Sequence, residues 1–214
     1  MGHDMHAYIA EWLTLIAVFS VAVISPGPDF VVAVRNALSY GRLSGFFTAL
    51  GFGTGVLVHA AYTMIGIAAL IAQSVMLFSV IKFAGAAYLF YVGFKALRSQ
   101  GFSGDVTTQT KTTSISAGTA FRSGFITNLL NPKATLFFLA LFTQIVVPET
   151  PHAIQAMFGL TCAVMVTLWF TAVAMFLTTP AIRNRFLKIS KWVDRTCGAV
   201  FIALGLKLAL TKAP

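Results

Sequence analysis

Long apolar runs dominate this sequence. Each has about the length that an α-helix needs to cross a bilayer, roughly 20 residues. They cover residues 9–38, 44–71, 75–97, 121–147, 154–178 and 195–211. Because backbone N–H and C=O groups in lipid must be hydrogen-bonded within the protein, such runs fold as helices. We therefore predict an all-α polytopic membrane protein with six transmembrane helices. The last run is short and the boundary at 72–74 is thin, so five spans with a re-entrant segment is the alternative.

The composition agrees with this class. Hydrophobic residues make up 57% of the 214 residues and charged residues 10%, whereas soluble domains carry about 25% charged residues. The net charge of +9 does not indicate nucleic acid, since the basic residues are spread over short loops between the apolar runs. We expect these loops to contact membrane lipids.

The basic residues also predict an orientation. Most of the 15 Lys and Arg residues lie in the loops after the first, third and fifth runs. They are Arg35, Arg42, Lys95, Arg98, Lys111, Arg122, Arg183, Arg185, Lys188, Lys191 and Arg195. Because cytoplasmic loops are enriched in Lys and Arg, these loops are predicted to be cytoplasmic and the N-terminus to lie outside. This alternation favours six spans over five.

Signals of several other protein classes are missing from the sequence. Residues 1–11 contain no Lys or Arg, so the first run does not resemble a signal peptide and is expected to remain as a membrane helix. Cys162 and Cys197 lie in or beside apolar runs and are expected to be free thiols. Neither a nucleotide-binding loop nor metal-ligand spacing is present, and we expect no cofactor and no metal.

Two of the runs are interrupted by proline. In Ser25-Pro26-Gly27-Pro28-Asp29, the prolines cannot continue a helix because they lack the N–H group and clash with the preceding turn. Asp29 is the only acidic residue well inside an apolar run, and a carboxylate at that depth costs roughly 2.5–3.5 kcal/mol. The fourth run contains Asn131-Pro132-Lys133. Both runs are predicted to be broken helices, which are tolerated in membranes where they line a cavity.

The two breaks carry opposite charges. Asn131 is a favoured N-cap and Pro132 suits the first helical position, so Lys133 and a helix N-terminus can bind a carboxylate. Asp29 can receive an ammonium group or carry a coupling proton, and together the two breaks fit a zwitterion. The alternative is that Asp29 and Lys133 neutralise each other and the prolines are kinks.

Two further polar residues are candidates for the same site. Asn128 lies one turn before Asn131 and is expected to line the cavity. His59, in the second run, is a second candidate for carrying a proton, or alternatively a packed, hydrogen-bonded histidine. The glycines of Gly51-x-Gly53-x-Gly55 are expected to let a neighbouring helix approach closely.

The two halves of the chain look related. The segment from Gly85 to Lys95 is similar to the segment from Gly198 to Lys207, and each half contains one broken run at a comparable position. We predict a first three-helix repeat at 1–97, a flexible cytoplasmic linker at 98–120 and a second repeat at 121–214. Two three-span halves must face opposite ways, and such inverted repeats with interrupted helices are typical of secondary transporters.

With these residues in view, the sequence resembles the LysE/RhtB family of amino-acid exporters over nearly its whole length. The resemblance rests on Ser25-Pro-Gly-Pro-Asp29, Arg35-Asn-Ala-Leu-Ser-Tyr-Gly-Arg42, Gly51-x-Gly53-x-Gly55 with His59, Lys82-Phe-Ala-Gly-Ala-Ala-Tyr-Leu, and Phe121-x-x-Gly-Phe-x-x-Asn-Leu-Leu-Asn-Pro-Lys133. It implies an efflux protein of the bacterial inner membrane that exports amino acids or small derivatives, is driven by protons and works as an oligomer, typically a dimer. It carries over Pro26, Gly27, Pro28, Asp29, Asn131, Pro132 and Lys133 as binding-site candidates.

We expect a secondary active exporter with alternating access, and not an enzyme. The alternatives are a passive channel for a small solute and an intramembrane enzyme, although His59 alone does not make a catalytic set. The absence of a second intramembrane acid gives a neutral amino acid more support than a dibasic one.

Overall fold

The structure is a computed structural model that describes residues 2–73, 75–101, 114–145 and 150–210. These residues form eight α-helices and no strand, which confirms the all-α class. The helices are α1 (Gly2–Ile24), α2 (Pro28–Tyr40), α3 (Arg42–Gln73), α4 (Val75–Leu97), α5 (Ala117–Leu129), α6 (Pro132–Ile145), α7 (His152–Phe176) and α8 (Pro180–Leu210).

Both predicted breaks are present. α1 ends at Ile24 and α2 begins at Pro28, with Gly27 in an extended conformation as the cap between them. α5 ends at Leu129 and α6 begins at Pro132. Each proline stands at the first position of its helix, where the missing N–H costs no hydrogen bond. The first and fourth apolar runs are therefore each built from two helices.

Three of the described helices are long and apolar enough to cross a membrane on their own. They contain Met5–Ile24, Arg42–Ile65 and His152–Phe176. The shorter apolar helix Pro132–Leu141 belongs to the second broken run. The chain thus has the helices of a polytopic membrane protein, and the six-span inverted repeat stays a prediction.

The glycines of α3 allow close packing, as predicted. A Cβ atom on Gly51 would collide with the backbone of α5 at Phe121, and one on Gly53 would collide with Thr167 of α7. At Gly55 the same atom would lie 2.6 Å from the side-chain oxygen of Asn128. α3 therefore packs directly on α5 and α7, and Gly55 makes room for a residue of the candidate site.

The glycines of the two related segments also meet each other. A Cβ atom on Gly93 of α4 would lie 2.9 Å from the carbonyl oxygen of Gly198 in α8, and one on Gly198 would lie 2.7 Å from that of Gly93. Gly205 approaches the carbonyl oxygen of Ala86 in the same way. α4 and α8 therefore pack closely along the two similar segments, with the end of each segment against the start of the other.

Parts of two predicted cytoplasmic loops are helical in the structure. α8 begins at Pro180, so the basic stretch before residue 195 is the first half of a 31-residue helix. Within the predicted linker at 98–120, α5 already begins at Ala117, where the Ser116 side chain caps it by accepting from the Thr119 N–H. Residues 102–113 lie outside the described part of the chain.

Candidate functional site

Asp29 lies in the first turn of α2 and is 9% exposed. Its two carboxylate oxygens accept hydrogen bonds from two amide groups of the other break. Asn128 Nδ2 donates to Oδ2 at 2.7 Å, and Asn131 Nδ2 donates to Oδ1 at 3.1 Å. A buried carboxylate needs such donors to offset its lost hydration. The two breaks, about 100 residues apart in sequence, are thus joined through Asp29.

The second break is organised by Asn131. Its side-chain oxygen accepts from the backbone N–H of Lys133 at 3.0 Å, which makes it the N-cap that the sequence predicts for α6. The Lys133 ammonium group donates to the carbonyl oxygen of Ser25 at 3.0 Å. Each break therefore receives a polar contact from the other. Asp29 accepts from the two asparagine amides and Lys133 donates to a backbone carbonyl, so the two charged side chains do not hydrogen-bond each other.

A cavity of about 60 Å³ lies between the two breaks. Its polar wall consists of Ser25, Asp29, Asn128, Asn131 and Lys133. The remaining wall is apolar apart from the backbone of Gly27, and contains Phe19, Ala22, Val23, Phe30, Val56, Ala134, Phe137, Phe138, Val166 and Phe170. Oppositely charged groups in a wall that is otherwise mostly aromatic and aliphatic suit a small zwitterion with an uncharged side chain.

Four of the residues proposed from sequence are not in the lining of this cavity. Three are the prolines that create the breaks, Pro26, Pro28 and Pro132, and the fourth is His59. The prolines shape the backbone around the cavity, while Gly27 lies beside the Lys133 side chain, whose ammonium nitrogen would be 3.8 Å from a Cβ atom.

His59 is fully buried behind Asn128. Its Nε2 lies 3.0 Å from the carbonyl oxygen of Asn128, and its Nδ1 lies 2.7 Å from the hydroxyl oxygen of Tyr62. Since a carbonyl only accepts, Nε2 carries the hydrogen, and in the neutral ring Nδ1 accepts from Tyr62. The ring stacks on Phe138 with 5.8 Å between centroids. The histidine thus supports the backbone that presents Asn128 to Asp29.

One face of α8 covers the breaks, and sequence analysis did not single it out. We call it the α8 face, and it consists of Phe186, Ser190, Asp194, Cys197 and Phe201. The Cys197 thiol donates to the carbonyl oxygen of Val21 at 3.2 Å, and the Lys133 ammonium group lies 5.6 Å from the centre of the Phe201 ring. Cys162 and Cys197 are both buried free thiols, as predicted.

Asp194 is a second buried acid near the site, whereas the sequence analysis expected Asp29 alone. It is 7% exposed, and its Oδ2 accepts a hydrogen bond of 2.6 Å from the Ser99 hydroxyl. The sequence assigns it to a basic loop because Lys191 and Arg195 flank it. The sequence feature that could have identified Asp194 as buried is helical periodicity, since residues 186, 190, 194, 197 and 201 recur at the spacing of one helix face. Within the described residues, no group of three His, Cys, Asp or Glu side chains could hold a metal ion.

The sequence also matches a known family over most of its length. The family model described as LysE type translocator matches residues 20–212. The chain belongs to the LysE type translocators. This confirms the family predicted from the two breaks and the motifs around them.

Individual relatives of this translocator are amino-acid efflux proteins. The threonine efflux protein of Escherichia coli K12 is 31% identical over 204 residues, which is 94% of this chain and 98% of the relative. The homoserine/homoserine lactone efflux protein of Salmonella typhimurium LT2 is 27% identical over 94% of this chain and 97% of the relative. An uncharacterized membrane protein of Vibrio cholerae is 33% identical over 98% of this chain and 100% of the relative. No solved structure matches the chain significantly.

Proposed function

We propose that this translocator is a secondary active exporter of amino acids or small amino-acid derivatives across the bacterial cytoplasmic membrane. The observation that carries the proposal is the meeting of two helix breaks with opposite charges around one cavity. The names of the relatives support the substrate class, since threonine and homoserine are small amino acids with uncharged side chains.

In the bound complex, the ammonium group of the amino acid occupies the Asp29 side of the cavity. Its carboxylate lies at the start of α6, where Lys133 and the positive end of the helix dipole attract it. The side chain of the substrate contacts the apolar wall, including Phe137 and Phe138. A charged side chain would be left without a partner on that wall, which favours a neutral amino acid over a dibasic one.

Export requires the cavity to open alternately to the two sides of the membrane. Its volume is about 60 Å³, and we propose that the surrounding helices move apart when an amino acid enters. We propose that the two halves, 1–97 and 121–214, are inverted repeats that rock against each other. The contact between the similar glycine segments of α4 and α8 supports this arrangement.

We further propose that export is driven by a proton, which moves through the protein in the direction opposite to the amino acid. Asp29 is the proton carrier in this scheme, because a proton and an ammonium group compete for one carboxylate. The chain works as a dimer and keeps its N-terminus outside. A transporter of this kind exchanges two states through contacts that differ between them.

The test is efflux of radiolabelled amino acids from preloaded cells, with and without an uncoupler that collapses the proton gradient. Saturable loss of one or a few amino acids that requires both the protein and the gradient is expected. Flux that does not saturate and does not depend on the gradient would indicate a channel. No amino-acid flux with the protein folded and inserted would contradict the proposal.

A further inference from the structure

Lys133 lies near two buried carboxylates, those of Asp29 and Asp194. Asp29 belongs to the wall of the cavity, and Asp194 belongs to the α8 face, whose Phe201 ring lies 5.6 Å from the Lys133 ammonium group. The Lys133 ammonium group is close enough to both carboxylates to interact with them electrostatically, while its hydrogen bond goes to the Ser25 carbonyl oxygen. Lys133 and Asp29 line the same cavity and carry opposite charges, yet their hydrogen bonds go to other groups.

The α8 face holds Asp194 close to the Lys133 side chain. Cys197, one turn after Asp194, contacts the end of α1 at Val21, and Phe201, one turn further, lies against the Lys133 ammonium group. At the other end, Ser99 donates to Asp194 and itself accepts from the backbone N–H of Gly101 at 3.0 Å. The carboxylate is thus anchored by the segment that follows α4.

We propose that Asp194 is a positioning residue for Lys133. By attracting the ammonium group from the side of α8, it keeps Lys133 from forming an ion pair with Asp29, and so leaves the Asp29 carboxylate available to the ammonium group of the amino acid. This role rests on the proposed function and adds a third charged residue to the site, one that does not line the cavity.

The role predicts a specific effect of neutralising Asp194. In Asp194→Asn, Lys133 moves towards Asp29, and the substrate must then break an ion pair before it binds. We expect the KM for export to rise roughly tenfold, the order of magnitude of one screened charge interaction, with a smaller change in maximal rate. Asp194→Glu keeps the charge and is expected to restore most of the affinity.

Transport kinetics provide the first test. Uptake of radiolabelled L-threonine, or of the amino acid that the efflux panel identifies, is measured in everted membrane vesicles. The matched control is Glu11→Gln, which makes the same change of carboxylate to amide in α1, outside the lining of the cavity. In a Lys133→Gln background, Asp194→Asn is expected to raise the KM no further, because no lysine remains to be positioned. An unchanged KM in Asp194→Asn, or losses that multiply in the double variant, would overturn the proposal.

A second test needs no substrate and separates this proposal from the proposed function. Thermal unfolding is measured in detergent for Lys133→Gln, Asp194→Asn and the double variant. If the two residues interact, the fall in Tm of the double variant is smaller than the combined falls of the single variants by about 2–4 °C per kcal/mol of coupling. Strictly additive shifts would reject the interaction even if export is observed. A coupled Tm without any amino-acid flux would reject the proposed function instead.

Discussion

At the scale of single residues, the site depends on a carboxylate that is held by neutral groups. The hydrogen bonds of Asp29 come from the amides of Asn128 and Asn131, which compensate its burial without cancelling its charge. A neutral donor gives way to a substrate cation more easily than a fixed cation would, since no ion pair has to be broken. This arrangement is the one expected if Asp29 binds the ammonium group of the substrate, as proposed.

The corresponding prediction is that Asp29→Asn strongly reduces export while the protein still inserts and folds. In the proposed complex, Asp29 pairs with the ammonium group of the substrate. Removing one partner of such a buried charge pair costs about 2–5 kcal/mol, so export efficiency should fall by roughly 100-fold. Asn keeps the volume of Asp and one acceptor oxygen, so size-exclusion profiles should match those of the original protein. Efflux from preloaded cells measures the effect, with Glu11→Gln as the matched control. Normal export by Asp29→Asn would remove Asp29 from the mechanism.

How much of this site can be predicted from sequence depends on the distance between the interacting residues. The breaks and the Asn131 cap follow from local proline and asparagine chemistry. The choice of amide donors over Lys133 as the partners of Asp29 does not, because it depends on how two segments about 100 residues apart pack together. Asp194 is hidden for a different reason: its basic neighbours indicate a loop, and only the packing of α8 buries it.

At the scale of helices, the residue that precedes α6 makes two different contacts. Asn131 caps the helix through its oxygen and holds Asp29 through its nitrogen. Asn131→Ser should retain the cap and lose the contact with Asp29, whereas Asn131→Ala should lose both. The loss of an N-cap costs about 1 kcal/mol, so the alanine variant should melt about 2–4 °C below the serine variant. Thermal unfolding in detergent compares the two variants, and equal Tm values would argue against the capping role.

The glycines of α3 allow a second comparison between helices. Gly55→Ala places a methyl group 2.6 Å from the Asn128 side-chain oxygen, so it should displace Asn128 from Asp29 and reduce export while the fold is kept. Gly51→Ala meets the backbone of α5, which cannot move aside, so it should reduce the amount of folded protein.

Fluorescence-detected size exclusion and efflux assays distinguish these two effects. Gly118→Ala is the control, because the nearest atom to its added methyl group is 4.0 Å away. Similar defects in Gly51→Ala and Gly55→Ala would show that Gly55 acts through packing alone.

At the scale of the whole molecule, the open question is how many times the chain crosses the membrane. Six spans put both ends of the chain on the same side, outside, and five spans put them on opposite sides. Three positions near the ends of helices test this, namely Met5→Cys, Gln100→Cys and Leu210→Cys, since all three side chains are exposed. They are introduced into a variant that lacks Cys162 and Cys197, the two cysteines of the chain.

Six spans predict that a membrane-impermeant thiol reagent labels Met5→Cys and Leu210→Cys in right-side-out vesicles. Gln100→Cys, which follows the basic end of α4, should be labelled only after the membrane is permeabilised, because Lys- and Arg-rich segments stay in the cytoplasm. Labelling of Met5→Cys but not Leu210→Cys would indicate five spans. In that case the two halves would not be inverted copies, and alternating access would have to arise from the two broken helices alone.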